Sequence, residues 1–537
     1  MRKWVPLITV CLGTFMLLID VTIVNVALPD MARDLSTSFS ALQWVVDGYA
    51  LSLAALLLGA GSIADMVGHR RTYVAGLALF ALASLVCGVA PNAGALVGAR
   101  LVQGVGAAAM FATTFALLNS SYQGRDRGTA YGLWGAVSGI ATAIGPVLGG
   151  LLTEGISWRW IFFVNLPISV LAIVMCLLAL RDVHAPTSGR LDLGGMVTFT
   201  ASAAAITYGL IHASENGWSS AGSWGYLVAG AALLALFVLI ESRSAHAMLD
   251  LGLMRNGSFV GILVCGMLMN FSAFAYFTYT SIWMQSVLGM SPITAGLTGL
   301  PLSVATFVVS AGFGRFLHGA RPGPVIGSGL VLIGLGGLLD ALLVHGDARW
   351  TALLPGFLVA GVGLGLVLPV LSSSAMSAVP PQRGGMAAGA MNTARQLGFA
   401  FGIALLGSVF AARAQHSLGA HGVPAPDGVA RALAGGQAGD VLRALPAPAR
   451  AATDQALHLA AVSGLRGAFV VAAVLGVLAG LLALALIRPR RPDPVILEDS
   501  TGRPKDHPAG HTGPSGSDAR TAAEGGESIG PQRLRVE

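Results

Sequence analysis

Long apolar stretches dominate this sequence and restrict its fold more than any other feature. Fourteen segments of about twenty residues, the length that spans a bilayer, follow one another between residues 6 and 487. Hydrophobic residues make up 54% of the 537-residue chain and charged residues only 10%, whereas soluble domains average about 25% charged residues. Backbone polar groups within a bilayer must be satisfied inside the protein, and segments of this length do so as helices. The sequence therefore predicts an all-α membrane protein.

The positions of the basic residues indicate how the helices are oriented. Lys and Arg crowd every second connection, as at Arg70 and Arg71, whereas the short connections between these hold only Arg33, Arg159 and Arg349. Basic residues accumulate on the cytoplasmic side of a membrane protein. This alternation predicts an even number of helices, fourteen in all, with both termini in the cytoplasm.

The apolar segments fall into groups of six, two and six. Residues 1–183 are predicted to form an N-terminal six-helix bundle, 184–256 two extra linker transmembrane helices, and 257–487 a C-terminal six-helix bundle with an outer loop at about 412–461. Residues 488–537 are rich in Pro, Gly, Ser and charge, which predicts a disordered cytoplasmic tail. The run GSIADMVGHRR in the first bundle and GFGRFLHGARPG in the second occupy matching places, which indicates a faint internal repeat.

Several classes of protein are disfavoured by what the sequence contains. The four cysteines all lie in apolar runs, where they act as small hydrophobic residues rather than as disulfides or metal ligands. The two lysines, Lys3 and Lys505, lie outside any phosphate-binding loop, so no ATP site is expected. The cations form no basic stripe, and no nucleic-acid partner is expected. No constellation of catalytic His, Cys or Ser residues is evident, so a membrane enzyme or sensor is a remote alternative.

Arg100 is the most unusual residue, because it lies inside an apolar helix. An uncompensated guanidinium at such a depth costs at least about 2.5 kcal/mol, so a carboxylate, a polar substrate or a water-filled cavity must compensate it. Arg100, Gln103, Gly104, Ala107 and Ala108 recur at helical spacing and share one face. This face has polar side chains at one end and small residues at the other, which is typical of a helix that lines a path between closely packed helices.

Helical rise gives Arg100 a candidate partner. With the first helix running outward and the fourth inward, Asp20 lies roughly 13 Å and Arg100 roughly 10 Å below the outer surface. Asn165 falls at a similar depth, and Asp47 lies nearer the outer mouth. Burial favours the neutral form of a carboxyl group and a neighbouring guanidinium favours its charged form, so Asp20 is the predicted proton-binding residue. The alternative is a static ion pair between two helices.

The fifth helix carries closely spaced glycines. Gly135 and Gly139, then Gly145 and Gly149, are spaced i, i+4, and Pro146 removes one backbone donor. Small faces let helices approach closely and a proline permits a bend. The pattern fits either a functional helix or ordinary membrane packing.

A short connection after the second helix is the candidate gate. Gly61 and Gly68 permit a close approach and a tight turn, and Arg70 and Arg71 can pair with neighbouring helix ends while also obeying the positive-inside rule. Asp65 is not explained by that rule, and we predict that it acts as a conformational latch.

Together these motifs resemble those of the fourteen-helix drug:proton antiporters of the major facilitator superfamily, which include antibiotic exporters of high-GC bacteria. The family signature RxxQGxGAA matches residues 100–108, GPxxGG matches residues 145–150, and the cytoplasmic signature GxLAD[RK]xG[RK][RK] is similar to residues 61–70. LLIDVTIVNVALP and WRWIFFVNLP are similar to the family's first-helix motif and sixth-helix entry. Met66 and His69 stand where the cytoplasmic signature usually has basic residues.

The resemblance implies the major facilitator fold and a role for each motif. It implies that Arg100 belongs to the proton-transfer element, that Asp20 recognises protons or cationic drugs, and that Asp65 gates. In the second bundle, Asn392 and Arg395 resemble a family feature, and Arg395 either binds substrate or braces the cytoplasmic gate. The predicted site residues are Asp20, Asp47, Arg100, Gln103 and Asn165 for proton coupling and the substrate cavity; Gly145, Pro146, Gly149 and Gly150 for the antiporter helix; Gly61, Asp65, Gly68, Arg70 and Arg71 for the gate; and Asn270, Asn392 and Arg395 in the C-terminal bundle.

These expectations define a transporter of a bacterial cell membrane. The predicted function is proton-coupled efflux of amphipathic drugs or an antibiotic by alternating access, with the proton gradient as the energy source and no cofactor or metal. The expected partners are the drug, protons and the lipid bilayer, and the expected state is a monomer. A proton-coupled importer or symporter of a small solute on the same fold is the main alternative.

Overall fold

The computed structural model describes residues 2–37, 39–180, 192–216, 218, 220–244, 247, 249–313, 321–346, 348–379, 383–443 and 445–487. All regular elements within these ranges are helices. The predicted tail at 488–537 and most of the second copy of the gate motif, at 314–320, lie outside the described residues.

Nine α-helices form the described part of the first half of the chain. Val164 separates α6 from α7, so the predicted sixth span consists of two pieces. The helices are α1 Val5–Asp34, α2 Phe39–Val67, α3 His69–Gly88, α4 Ala93–Ser121, α5 Gly124–Gly155, α6 Trp160–Phe163, α7 Asn165–Ala179, α8 Leu193–Asn216 and α9 Ala221–Arg243.

The described part of the second half contains ten α-helices. Two π-helical segments interrupt its first predicted span: Asn270–Ala275 lies between α10 and α11, and Trp283–Val287 follows α11. The helices are α10 Gly257–Met269, α11 Tyr276–Ile282, α12 Pro292–Thr298, α13 Leu300–Phe313, α14 Pro322–Leu343, α15 Leu354–Ser377, α16 Gly384–Ala420, α17 Pro426–Ala434, α18 Ala438–Arg443 and α19 Ala447–Leu486.

Twelve helical segments of the described chain are long and apolar enough to cross a membrane. Two predicted spans lie outside these twelve: α5, a 32-residue helix of which the structure describes only part of the side chains, and the α12–α13 pair, which is broken at Gly299. Large apolar side chains lie exposed along the outside of the bundle, as at Leu82 and Leu178, and these suit contact with lipid rather than water. The count of fourteen therefore remains a prediction.

The predicted outer loop at 412–461 includes the ends of two long helices. Helix α16 continues to Ala420 and α19 begins at Ala447, and the described residues between them include the short helices α17 and α18. Alanine has the highest helix propensity, and the Ala-rich sequence extends both long helices beyond their apolar parts.

The helix bundle has two faces. At the face where α1 begins, which we call the N-terminal face, Lys3 forms an ion pair with Asp126 at 2.7 Å. At the opposite face, where α1 ends, Asp34 forms an ion pair with Arg159. Each half of the chain has its own apolar cores, and the largest core of the first half also includes Met386 and Ala387 of α16. This core joins the two halves.

Candidate functional site

Arg100 is fully buried and its charge is compensated by the protein. Its Nη1 donates to Asp20 Oδ2 at 2.5 Å and to Gln103 Oε1 at 2.7 Å, while its Nε donates to the Val45 carbonyl at 2.9 Å. Asp20 is also fully buried. Helices α1, α2 and α4 thus meet at one guanidinium group, which explains how an apolar helix tolerates the cation.

The second carboxylate oxygen of Asp20 extends this network to two more helices. Asp20 Oδ1 accepts hydrogen bonds from Gln103 Nε2 and from Asn165 Nδ2, both at 3.0 Å. The same two amide groups donate to Ser84 Oγ, at 2.7 and 3.3 Å. In the described part of the chain, the groups that contact this carboxylate are hydrogen-bond donors, which matches the acceptor character of its two oxygens.

An aromatic ring closes the site on one side. The guanidinium carbon of Arg100 lies 4.3 Å from the centre of the Tyr49 ring, a cation–π geometry. Tyr49 is buried, and its hydroxyl has no hydrogen-bond partner in the described part of the chain. Asp47, which the sequence also placed in the cavity, lies partly buried on α2 between Val45 and Tyr49.

The structure therefore brings together Asp20, Arg100, Gln103 and Asn165, and it adds residues that the sequence did not reveal. Ser84 and Tyr49 belong to apolar helices in which nothing in the spacing distinguishes them. The Val45 contact uses a backbone carbonyl, for which no side-chain pattern exists. A depth calculation finds the level of a residue but not the direction in which it points.

Asp65 joins the two halves at the N-terminal face. Its Oδ1 accepts from the Gly385 N–H at 2.7 Å and its Oδ2 from the Met386 N–H at 2.8 Å. These are the first N–H groups of α16, where the helix dipole favours a carboxylate. His69 Nε2 lies 3.5 Å from the same carboxylate. The predicted latch residue thus caps a helix of the other half.

Glycine at position 61 is required by this contact. A Cβ atom there would lie 2.2 Å from the Gly385 carbonyl oxygen, so the backbones of α2 and α16 touch. Gly68 has φ +109° directly before α3, a conformation that favours glycine. Arg70 Nη2 donates to the Leu177 carbonyl at 2.8 Å, near the C-terminal end of α7, whereas Arg71 is exposed.

The glycines of α5 pack this helix against both halves. A Cβ atom at Gly145 would lie 1.8 Å from Thr22 Oγ1, and one at Gly149 would lie 2.9 Å from the Ile23 carbonyl oxygen. Gly135 faces Ser310 of α13. Pro146 and Gly150 lie within the same uninterrupted helix. The glycine face therefore holds α1 at a distance that no other residue permits.

The C-terminal bundle contains a smaller polar group. Arg395 Nε lies 3.4 Å from Asn270 Oδ1, and Asn392 Nδ2 donates to the Phe111 carbonyl of α4 at 3.2 Å. In the described part of the chain, no carboxylate lies within ion-pair distance of Arg395. Asn392 thus contacts the first half, and Arg395 lies one turn further along α16.

Another buried charge-bearing residue was missed by the sequence analysis. Asp340 of α14 is fully buried, and neither of its carboxylate oxygens has a hydrogen-bond partner in the described residues. It packs on Gly356 in the first turn of α15, where a Cβ atom would lie 1.9 Å from Asp340 Oδ1. A lone carboxylate in an apolar helix was a visible signal, as it was for Asp20.

The all-helical architecture and its buried charged groups are those of a membrane transporter. Residues 10–403 match the Major Facilitator Superfamily, and the chain belongs to that superfamily. It is 37% identical over 419 residues to the multidrug resistance protein Stp of Mycobacterium tuberculosis, which covers 77% of each chain. It is 31% identical over 504 residues to the tetracenomycin C resistance and export protein of Streptomyces glaucescens, covering 92% of this chain and 93% of the relative.

The solved structures agree on the fold. The crystal structure of the human organic anion transporter MFSD10 matches with a TM-score of 0.58 at 15% identity and covers 90% of this chain and 99% of that one. Identity this low shows the fold alone. The superfamily match and the apolar helices together establish that the protein is a multi-pass transporter of the cell membrane and not an enzyme, as the sequence predicted.

Proposed function

We propose that this protein exports amphipathic drugs or an antibiotic across the cell membrane in exchange for protons. In this proposal the chain crosses the membrane fourteen times, and α5 and the α12–α13 pair are the two spans beyond the twelve long apolar segments. The N-terminal face, which carries Arg70 and Arg71, is cytoplasmic. The names of the relatives, a multidrug resistance protein and an antibiotic export protein, support export over import.

The buried Asp20–Arg100 contact is the observation that carries the proposal. A proton that binds to Asp20 Oδ2 removes the negative charge that compensates Arg100, and loss of the proton restores it. Because Arg100 also holds the Val45 carbonyl of α2, a change at Asp20 alters how three helices are joined.

The contact at Asp65 supports alternating access. Asp65 and the Gly61–Gly385 approach hold the two halves together at the N-terminal face. For a cytoplasmic compound to enter, these bonds must break and α16 must leave α2. Because the glycines along α5 have no side chains, neighbouring helices of the two halves can slide along this face.

Transport into everted membrane vesicles tests this function. We expect ethidium or tetracenomycin C to accumulate when the vesicle interior is acidified, and accumulation to stop when an uncoupler dissipates the proton gradient. Asp20→Asn should abolish accumulation because it removes the titratable group. Asp30→Asn is the matched control, since Asp30 lies on the same helix and pairs with Arg33 near its end.

Two results would count against the proposal. Accumulation that persists after the gradient is dissipated would exclude proton coupling. Uptake by right-side-out vesicles in the direction of the proton gradient would favour the alternative of a proton-coupled importer or symporter.

A further inference from the structure

Arg395 is a cation inside the helix bundle, and the described part of the chain gives it no counter-charge. It lies about eleven residues, or roughly 17 Å, along α16 from the N-terminal face. Among the described residues, its hydrogen-bond contact is the neutral amide oxygen of Asn270, at 3.4 Å. A guanidinium group keeps its charge in proteins and offers five donors, so these residues use only part of its hydrogen-bonding capacity at a depth where charge is costly.

The surroundings of Arg395 contain few groups that can compensate it. On α2, Asp65 is bound to the start of α16 and Asp47 lies closer to the opposite face. On α4, Arg100 is held by Asp20. On α19, which also packs against α16, Arg466 donates to the Ala341 carbonyl. Among the described residues, none of these groups forms an ion pair with Arg395.

Arg395 also lies beside the contact between the two halves. Gly389 packs on the Leu57 carbonyl of α2, and Asn392 reaches the Phe111 carbonyl of α4. Arg395 follows Asn392 by one turn and therefore lies next to this contact along α16. It is only partly buried, so part of the residue remains accessible.

An independent feature lies at the same place. Asn270 begins the π-helical segment Asn270–Ala275, which interrupts the first helix of the C-terminal bundle. Single π-turns inside α-helices are rare and occur frequently at functional sites. Here the π-turn presents the amide of Asn270 to Arg395, so an irregular backbone and an uncompensated cation meet at one point.

We propose that Arg395 and Asn270 form an anion subsite, which binds a sulfonate, carboxylate or phenolate group of the exported compound. The two terminal nitrogens of Arg395 provide parallel donors for an oxyanion, and the Asn270 amide orients the guanidinium plane. This subsite rests on the proposed export function and assigns its substrate class: amphipathic compounds with an acidic group.

Two fluorescent probes that share an aromatic skeleton test the subsite by binding alone. The first is 8-anilino-1-naphthalenesulfonate, and the second is N-phenyl-1-naphthylamine, which lacks the sulfonate. With the purified full-length protein in lipid nanodiscs, Arg395→Gln should weaken binding of the sulfonate probe about tenfold and leave the neutral probe unchanged. Arg395→Lys should retain part of the affinity, because lysine keeps the positive charge but lacks the two parallel N–H donors of the guanidinium group.

The control variant is Arg383→Gln, which removes an exposed arginine that pairs with Asp250 beside the start of α16. Both probes should bind to this variant as they bind to the wild type.

Three outcomes would contradict the subsite. Equally weakened binding of both probes in Arg395→Gln would overturn the subsite and indicate a packing role. No change with either probe would also overturn it. Restoration of sulfonate binding in Arg395→Gln by Asp47→Asn would show an internal ion pair instead.

This experiment separates the subsite from the export function. Binding needs no proton gradient, so a protein that binds the sulfonate probe through Arg395 yet fails to transport in vesicles would retain the subsite and lose the proposed function. A protein that transports in vesicles but binds both probes equally well with and without Arg395 would retain the proposed function and lose the subsite.

Discussion

Arg100 and Arg395 are both arginines of the membrane region, one in each half, and their surroundings differ. Arg100 is sealed from solvent and meets a carboxylate, an amide and a backbone carbonyl. Arg395 is partly exposed and meets one amide. The first cation is compensated by the protein, and the second is left for a ligand. The comparison separates a residue whose removal damages the fold from one whose removal changes what is bound.

The largest expected effect is the loss of stability in Arg100→Ala. Removing one partner of a buried ion pair leaves an uncompensated charge on Asp20 and costs about 3–5 kcal/mol. Thermal unfolding of the purified protein should show a clearly lower melting temperature. The double variant Asp20→Asn/Arg100→Gln should recover part of the loss, and the exposed Arg125→Ala should melt like the wild type. An unaltered melting temperature in Arg100→Ala would break the comparison.

Asp340→Asn sharpens the contrast between the two buried carboxylates. Within the described residues, Asp20 accepts three side-chain hydrogen bonds and Asp340 accepts none. A carboxamide has almost the same shape and removes no interaction at Asp340, so we expect the free energy of unfolding to stay within about 1 kcal/mol of the wild type. A loss as large as that of Asp20→Asn would reveal a partner of Asp340.

Arg395→Ala should lower the free energy of unfolding by less than about 1 kcal/mol, because it leaves only the Asn270 amide without its neighbour. The same thermal unfolding assay measures this difference against Arg100→Ala. If both arginine variants lost equal stability, the distinction between a structural cation and a ligand-binding cation would be wrong.

The smallest expected effect lies outside the membrane, at the Asp34–Arg159 pair. Hydrogen bonds from Arg159 and Trp158 lower the pKa of Asp34. A lowered pKa in the folded state stabilises the protein above the unfolded value of about 4, and this gain is lost as the pH falls through the folded pKa. Asp34 is about half exposed, so the gain is small.

Melting temperatures between pH 3 and 7 test this pair. The wild type should exceed Asp34→Asn by a constant amount above about pH 5, and the difference should disappear at the acid end. A difference that grows toward low pH would contradict the stated direction of the shift.

The sequence predicted the depth of each charged residue in the membrane but not the direction in which its side chain points. Helical rise alone placed Asp20, Arg100 and Asn165 together, because depth accumulates regularly along a helix. It could not find Ser84 or Tyr49, since contact between helices depends on their rotation and spacing. Asp65 was predicted as a latch, yet its partners are backbone N–H groups of α16, which carry no sequence signature.

The lengths of the helices were harder to predict than their positions. Apolar composition marks only the part of a helix inside the bilayer, whereas α16 and α19 continue outside it through alanine-rich sequence. The break at Gly299 and the π-segment at Asn270–Ala275 likewise lie within apolar runs that predict continuous helices.

Proton movement driven by the exported compound tests the central claim most directly. The purified protein is placed in liposomes containing a pH-sensitive dye, and a gradient of a compound that the vesicle assay shows to be exported is applied without any initial pH difference. The wild type and Asp30→Asn should move protons against the direction of the compound, and Asp20→Asn should move none. Proton movement in Asp20→Asn equal to that of the wild type would show that the Asp20–Arg100 network does not couple protons to export.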